Sequence, residues 1–543
     1  SSIYKVNLLE KLLATTLAKI SNFIPEAGIW MNTQRPEWND ANNALVGNGV
    51  SMVTLNYLRR FFGFFKSFIS GSGFESVEIS NELLEFFQKV NQTLADNQTL
   101  LSGKLTDTER KTVLDGLGIP GSDFRERIYK KGFSGRKSAI SKEELLKFID
   151  RCLEYFDHSI EATKRPDNLY HAYNLMTLKN DQEIQISYLP EMLEGQVAVL
   201  SAGYLSSESA LNVLDNMKSS SLFREDQYSY TLYPNKELPR FTKKNNLPKE
   251  EILKSSLVSQ LLEENVKDVI VKDVLGEYHF NGNFNNAKDL EAALDGLSEG
   301  PYAELVKKDR SFLLELFEKN FNHKAFTGRS GTFYGYEGLG SIYWHMVSKL
   351  SLAVQEVCLK GIEEKADPKI IGRLMDHYYE VNEGIGVHKS PELYGAFPID
   401  PYSHTPATKG AQQPGMTGQV KEDILCRLGE LGISVDKGMI HFNPVLLRRD
   451  EFLTSPGDFE YLDVKSEKRK VSLSESSLAF TYCQVPVVYQ LADKEEVRVD
   501  LSDGSRQLFP NLELNEDISS KIFSRTGKIE KVMVSVKNND TAA

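Results

Sequence analysis

Val50-Ser-Met-Val-Thr-Leu-Asn-Tyr-Leu-Arg-Arg-Phe-Phe-Gly-Phe-Phe, residues 50 to 65, decides the fold class. Val50, Met52, Val53, Leu55, Leu58, Phe61, Phe62, Phe64 and Phe65 recur so densely that a helix built from them is apolar on nearly all sides. A surface helix needs only one apolar stripe, so this one predicts neighbours on several faces and a multilayer helical assembly. Working outward, Leu8, Leu9, Leu12, Leu13, Leu17 and Ile20 keep the spacing of a helix with one buried stripe. Comparable stretches cover 84–90, 143–155, 211–217, 252–262, 305–317, 340–357 and 417–431. No short period relates them, which disfavours a solenoid. The segment 97–141 is charged and carries Gly103, Gly116, Gly118, Pro120, Gly121, Gly132 and Gly135. It predicts an excursion from the helical body, a linker or lid rather than core.

After about residue 434 the texture changes to short β-branched and aromatic runs: Met439 to Phe442, Val471 to Leu473, Leu478 to Tyr482, Val485 to Tyr489, Val497 to Leu501 and Lys531 to Val536. Turn signals at Pro456-Gly457, Asp503-Gly504 and Thr526-Gly527 separate them, which predicts a closing β-sandwich or jelly roll over 434–543. A chain of 543 residues with 41% hydrophobic and 26% charged residues is an ordinary globular one. Its net charge of -12 argues against a general grip on nucleic acid or an anionic membrane surface. Cys152, Cys358, Cys426 and Cys483 show no metal-ligand or disulfide spacing, so they read as buried thiols of a reducing compartment, with no metal site. No apolar run has the length of a membrane span, and a cytoplasmic protein is the expectation.

Three stretches carry chemistry. The first, Arg35 to Gly47, packs Glu37, Trp38, Asn39, Asp40, Asn42 and Asn43 between two helices. A flat aromatic face with planar amides and carboxylates suits a pyranose, and Asp40 can donate a proton if burial raises its pKa. Asn39 and Asp40 suit equally the plainer task of capping the next helix. The second, Phe326 to His345, is glycine-rich and leads into a helix; Arg329, Tyr336 and His345 can hold an anion while Glu337 supplies a carboxylate. Tyr343, Trp344 and His345 read as well as core residues. The third begins at Glu392-Leu-Tyr394 and continues through Gln413 to Thr417-Gly418 at a helix start, where free amides and the positive end of the helix dipole make a phosphate seat. Simple capping by Thr417 is its plainer reading.

In that order the three stretches resemble the inverting glycoside phosphorylases of the cellobiose phosphorylase type. The insertion between the first two motifs and the wording of residues 35 to 47 are most similar to the β-1,3-oligoglucan phosphorylases of glycoside hydrolase family 149. The resemblance implies a mainly α fold, an (α/α)6 barrel over 1–433 with the 97–141 excursion, followed by the C-terminal β-sandwich or jelly roll. It implies phosphorolysis of β-glucan oligosaccharides, β-1,3-linked, to α-glucose 1-phosphate and a shortened chain. Asp40 would be the proton donor; Glu37, Trp38, Asn39, Glu337 and Tyr394 would bind sugar; Thr417, Gly418, Tyr336, His345, Arg329 and Gln413 would bind phosphate. No cofactor is implied, since inorganic phosphate is a substrate. Family members carry an N-terminal β-sandwich, a helical linker and first barrel helices that this chain lacks, which makes the N-terminal part of the same enzyme an expected partner. A homodimer is a second expected arrangement. Two other readings fit the same residues: an inverting β-glucan hydrolase with Glu337 or Glu392 as base, and a non-catalytic glycan-binding fragment.

Overall fold

The computed structural model describes residues 3–32, 45, 47–234, 241–321, 326–327, 333–334, 342–385, 404–405 and 420–537. About half of it is helical, with one antiparallel five-stranded sheet near the start and further sheets after it. The chain forms two compact units, one of 1–205, 212–343 and 404–412, the other of 206–211, 344–403 and 413–543.

In the first unit the stretch quoted above becomes the helix Met52–Gly71, started by the Ser51 hydroxyl, which accepts from the Thr54 amide. Met52, Leu55, Leu58, Phe62, Phe65 and Ile69 are buried, and the helix packs on Lys142–Ala162 and Leu193–Ser201. Burial on several faces does not follow, because Phe64 is 61% exposed and stacks on the exposed Phe68. The predicted N-terminal helix is Leu8–Ile20, with Leu9, Leu13, Leu17 and Ile20 buried and Leu8 in solvent.

The 97–141 segment is core rather than lid. Asp107–Lys131 is one helix that buries Val113, Leu114 and Leu117, and Leu114 packs against the five-stranded sheet beside Ile24, Val50, Met176 and Ile184. Its glycines serve close packing. A Cβ at Gly116 would lie 2.5 Å from Thr93, and one at Gly121 2.7 Å from Ser21, so both positions must stay bare for the neighbouring chain to fit. Lys137–Ser141 then pairs with Ser76–Ser80. The sheet itself runs Phe23–Ile24, Gly28–Trp30, Gly49–Ser51, Tyr173–Asn180, Glu183–Tyr188, each strand antiparallel to the next. Below it the buried Glu26 takes a salt bridge from Arg110, whose guanidinium also reaches Asp107 at 2.9 Å.

Residues 245–321 close on themselves. Helices Ser256–Glu263, Ala287–Ser298 and Ala303–Phe321 and the hairpin Ile270–Lys272 with Tyr278–Phe280 bury one apolar cluster, drawn from Leu247 to Phe317 with no outside member among the described residues. Asp309, itself buried, accepts from Ser255 Oγ and the Leu257 amide, both at 2.8 Å, and so fixes the start of the first of these helices. At its two ends, Asn320 Nδ2 donates to the Lys244 carbonyl at 3.0 Å.

The second unit joins helices Trp344–Glu363, Pro368–Glu383 and Val420–Glu430 with the C-terminal strands. A buried polar cluster links the three helices. Gln355 Nε2 donates to Tyr378 OH at 3.1 Å and to the Cys426 carbonyl at 2.7 Å, and Tyr378 OH donates to Glu430 at 2.6 Å. The C-terminal strands were expected to make a sandwich. Five of them form one sheet in the order 477–482, 485–492, 529–537, 496–501, 506–509, while Gly457–Leu462 with Lys468–Leu473, like Ile433–Asp436 with Met439–Phe442, makes a separate two-stranded hairpin. Val485–Ala492 and Ile529–Lys537 run parallel, because the return path passes through the helix Glu516–Phe523. Ile518 and Ile522 of that helix, with Ile440 and Phe442 of the hairpin Ile433–Asp436/Met439–Phe442, pack with Val487, Tyr489, Val497, Val532 and Val534. A helix and a hairpin thus join the core to which a second sheet was expected to contribute.

Cys152, Cys358 and Cys426 are buried free thiols and Cys483 is half-exposed; burial pushes the Cys358 and Cys426 thiols up to about 12. Among the described residues no helix is long and apolar enough to cross a membrane.

Candidate functional site

The structure describes the stems of the three chemical stretches. The first leaves the five-stranded sheet after Trp30 and returns at Gly49, with Ile29 opposite Ser51 and Trp30 opposite Val50. Trp30 Nε1 donates to the Gly47 carbonyl at 3.0 Å and the Met31 amide to the Gly49 carbonyl at 2.9 Å, so both ends of the loop are tied together. Gly28 is required beneath it: its φ is +117°, and a Cβ there would meet the Ser51 carbonyl at 2.6 Å. Glu37, Trp38, Asn39 and Asp40 lie outside the described residues.

The second stretch has two stems. Phe326 pairs with Tyr334 and Thr327 with Phe333; farther on, Ile342 pairs with Thr405 and Tyr343 with His404. The latter ladder joins the end of the second stretch to the middle of the third, residues far apart in the chain. Arg329, Tyr336, Glu337, Tyr394, Gln413, Thr417 and Gly418 lie outside the described residues.

His345 is the sequence-predicted site residue that the structure describes. It is half-buried in the first turn of Trp344–Glu363, which packs on Val420–Glu430, the helix that follows Thr417-Gly418. Burial lowers its pKa first, and the charges of Lys349 and Lys421 lower it further against the opposing carboxylate of Glu422. Glu422 is 4% exposed, with Lys421 Nζ 3.4 Å from its Oε1. The first turns of two helices therefore meet around one imidazole, two ammonium groups and one carboxylate. Two positive helix ends with cationic side chains form an environment that favours a bound anion over a bound cation. Among the described residues no group of three or more His, Cys, Asp or Glu is placed to hold a metal ion.

Sequence reasoning missed two carboxylates, Glu422 and Glu194. Glu194 sits in the run Met192-Leu-Glu-Gly-Gln-Val-Ala-Val-Leu200, where a charged residue interrupts an otherwise apolar stretch; that interruption was the available signal. The helix Leu193–Ser201 is buried from Leu193 through Leu200, and Glu194 is 4% exposed. Burial pushes the Tyr343 phenol up, and the charge of Glu194 adds to the shift.

With this geometry in place, the likeness to known proteins is direct over one segment. Residues 238–324 are similar to a domain of glycoside phosphorylases. The matching family model is described as GH149 phosphorylase insertion domain 2. The match encloses the self-contained cluster of residues 247–317, and it falls between the first and second chemical stretches. No curated protein matches the chain.

Proposed function

We propose that the chain carries the catalytic machinery of an inverting phosphorylase acting on β-1,3-linked glucan oligosaccharides in the cytoplasm, within an (α/α)6-type helical framework. The observation that carries this reading is the match of residues 238–324 to a phosphorylase insertion domain, placed between the Trp38-Asn39-Asp40 loop and the glycine-rich loop ending at His345. The anion-favouring surroundings of His345 support it.

In this reading a phosphate oxygen attacks the anomeric carbon of the terminal glucosyl unit while the bond from that carbon to the bridging oxygen breaks. Asp40 gives its proton to the departing oxygen, and the products are α-glucose 1-phosphate and a glucan one unit shorter. A hydrolase needs a second carboxylate to activate water. Phosphate is already anionic and needs only to be held, by Thr417, Gly418, Tyr336 and His345 with Arg329 and Gln413 behind them. Glu37, Trp38, Asn39, Glu337 and Tyr394 bind the sugar. In synthesis the Asp40 carboxylate takes a proton back from the attacking hydroxyl.

Glucose 1-phosphate release from laminari-, sophoro- and cello-oligosaccharides, with and without phosphate, tests the reading. Phosphate-dependent release from the laminari series is expected, with loss of turnover in Asp40→Asn. Thr417→Val should raise the phosphate KM by about 10- to 100-fold, the worth of one or two charge-assisted hydrogen bonds, with a much smaller change in the glucan KM. Free glucose released without phosphate would replace the phosphorylase by a hydrolase.

A further inference from the structure

We propose that residues 245–321 carry a binding site of their own, for a small organic phosphate: an ester whose body is of sugar to nucleotide size. The site is an open groove of about 510 Å³ beside the hairpin Ile270–Lys272/Tyr278–Phe280, lined throughout by described residues of this one segment. Its floor belongs to the closed core, since Ile270 and Tyr278 are buried members of that cluster and Leu262 and Val266 pack against it. The wall is fixed where the helix Ser256–Glu263 ends: Asn265 turns back with a φ of +56°, and the Val266 amide donates to the Leu261 carbonyl at 2.8 Å.

Charge decides what the groove takes. The segment 245–321 is acidic, with nine Lys and Arg against fifteen Asp and Glu, yet Lys249, Lys267 and Lys272 line this one groove, from a helix start, a loop and a strand. Other cations of the segment are neutralised: Arg310 pairs with Asp295 at 2.6 Å, and Lys319 pairs with Glu251. Among the described residues none of the three groove lysines is in an ion pair; Lys272 Nζ instead lies 5.7 Å from the centre of the Tyr278 ring. Two carboxylates share the lining, and Asp273 is spent on its own turn. Its Oδ1 accepts from the Leu275 and Glu277 amides at 2.9 and 2.8 Å, and its Oδ2 lies 3.2 Å from His279 Nε2. Glu263 is left against three ammonium groups. Like charges gathered in one place repel and cost stability unless an anion compensates them. Ammonium groups on flexible stems converge readily on phosphate oxygens. The volume is that of a small-molecule site and far exceeds one phosphate, and the apolar wall of Leu253, Val266 and Tyr278 suits the body of an ester.

Hydrogen exchange on the full chain, read peptide by peptide, tests this with four probes: α-glucose 1-phosphate, AMP, inorganic phosphate and glucose. At least one of the two esters should slow exchange over 262–272, whereas glucose should not. Raising salt from about 0.1 to 1 M shortens the screening length from about 10 to 3 Å and should weaken the ester's hold. Lys267→Gln/Lys272→Gln should weaken it by about 10-fold or more with the melting temperature unchanged. Inorganic phosphate, which has no body to bury, should bind at least about 10-fold more weakly than the ester. No slowing over 262–272 with either ester, equal slowing by glucose, or slowing that survives in the double variant overturns the inference; equal affinity for inorganic phosphate overturns the assignment of an ester. None of these outcomes touches the phosphorylase reading, because the readout is exchange in 262–272 and not turnover. Should the double variant fail to fold, Lys249→Gln, on a separate helix, is measured in the same way with the same criteria.

Discussion

Leu313→Ala should loosen residues 245–321 while leaving the rest of the chain as it was. Leu313 is fully buried on Ala303–Phe321 and belongs to a cluster whose buried members, among the described residues, all fall between Leu247 and Phe317. Truncating such a leucine removes its transfer free energy and leaves a cavity, about 2–5 kcal/mol in comparable cores. At about 1.4 kcal/mol per factor of ten, that is roughly a 30- to 4,000-fold rise in the population of the locally opened segment. Native-state hydrogen exchange on the whole chain reads this directly. Amides of Ser256–Glu263, Ala287–Ser298 and Ala303–Phe321 should exchange faster by that factor, while those of Lys142–Ala162, which share no apolar partner with Leu313, should stay within about twofold. Equal acceleration in Lys142–Ala162 would refute the closed-core argument, since it would make the opening global.

Glu26→Ala removes the buried carboxylate partner of the Arg110 guanidinium and leaves it Asp107, and urea unfolding should show a loss of about 1–3 kcal/mol; a loss below about 1 kcal/mol would show that the pair contributes little. Gly429→Ala places a Cβ 2.1 Å from Gln355 Oε1 and should break the Gln355 bonds to Tyr378 and the Cys426 carbonyl, at a cost of about 1–3 kcal/mol. Adding Gln355→Ala should relieve part of that loss, which a double-mutant cycle detects. His345 is held below its ordinary 6.5, chiefly by burial, so the unfolded chain takes up a proton that the folded chain refuses. Its contribution to stability is complete above 6.5 and is lost as pH falls through the folded value; melting temperatures between pH 7.5 and 5 should show that slope diminished in His345→Asn.

The sequence was most legible where one side-chain period runs long enough to be read. The leucine spacing of Leu8–Ile20 and the valine alternation of Val497–Leu501 and Val532–Val536 appear in the structure as a one-faced helix and as strands buried on alternate residues. The five-stranded sheet of the first unit was hidden because three of its strands, Phe23–Ile24, Gly28–Trp30 and Gly49–Ser51, are too short to show any alternation. The helix Asp107–Lys131 was hidden because the glycines that bring it close to Thr93 and Ser21 are residues that ordinarily punctuate loops. The closed cluster of 247–317 was read as two more helices of the larger body, since periodicity within a helix does not say which partner its apolar face meets. Of the candidate site, the three loops were singled out by their chemistry, and apart from His345, which lies at a helix start as its stretch suggested, their proposed site residues fall outside the described ones. Glu422 escaped because what sets it apart is burial, a property of the folded chain, and at Glu194 the charge that interrupts an apolar run was a signal left unread.

The bond from Asn320 to the Lys244 carbonyl has an evolutionary corollary. A segment that departs and rejoins its host at adjacent points behaves as a cassette: it can be gained, lost or exchanged between lineages without stretching the flanking scaffold. The same adjacency offers protein engineers a graft site, where a reporter or an affinity module of comparable end-to-end spacing can replace residues 245–319.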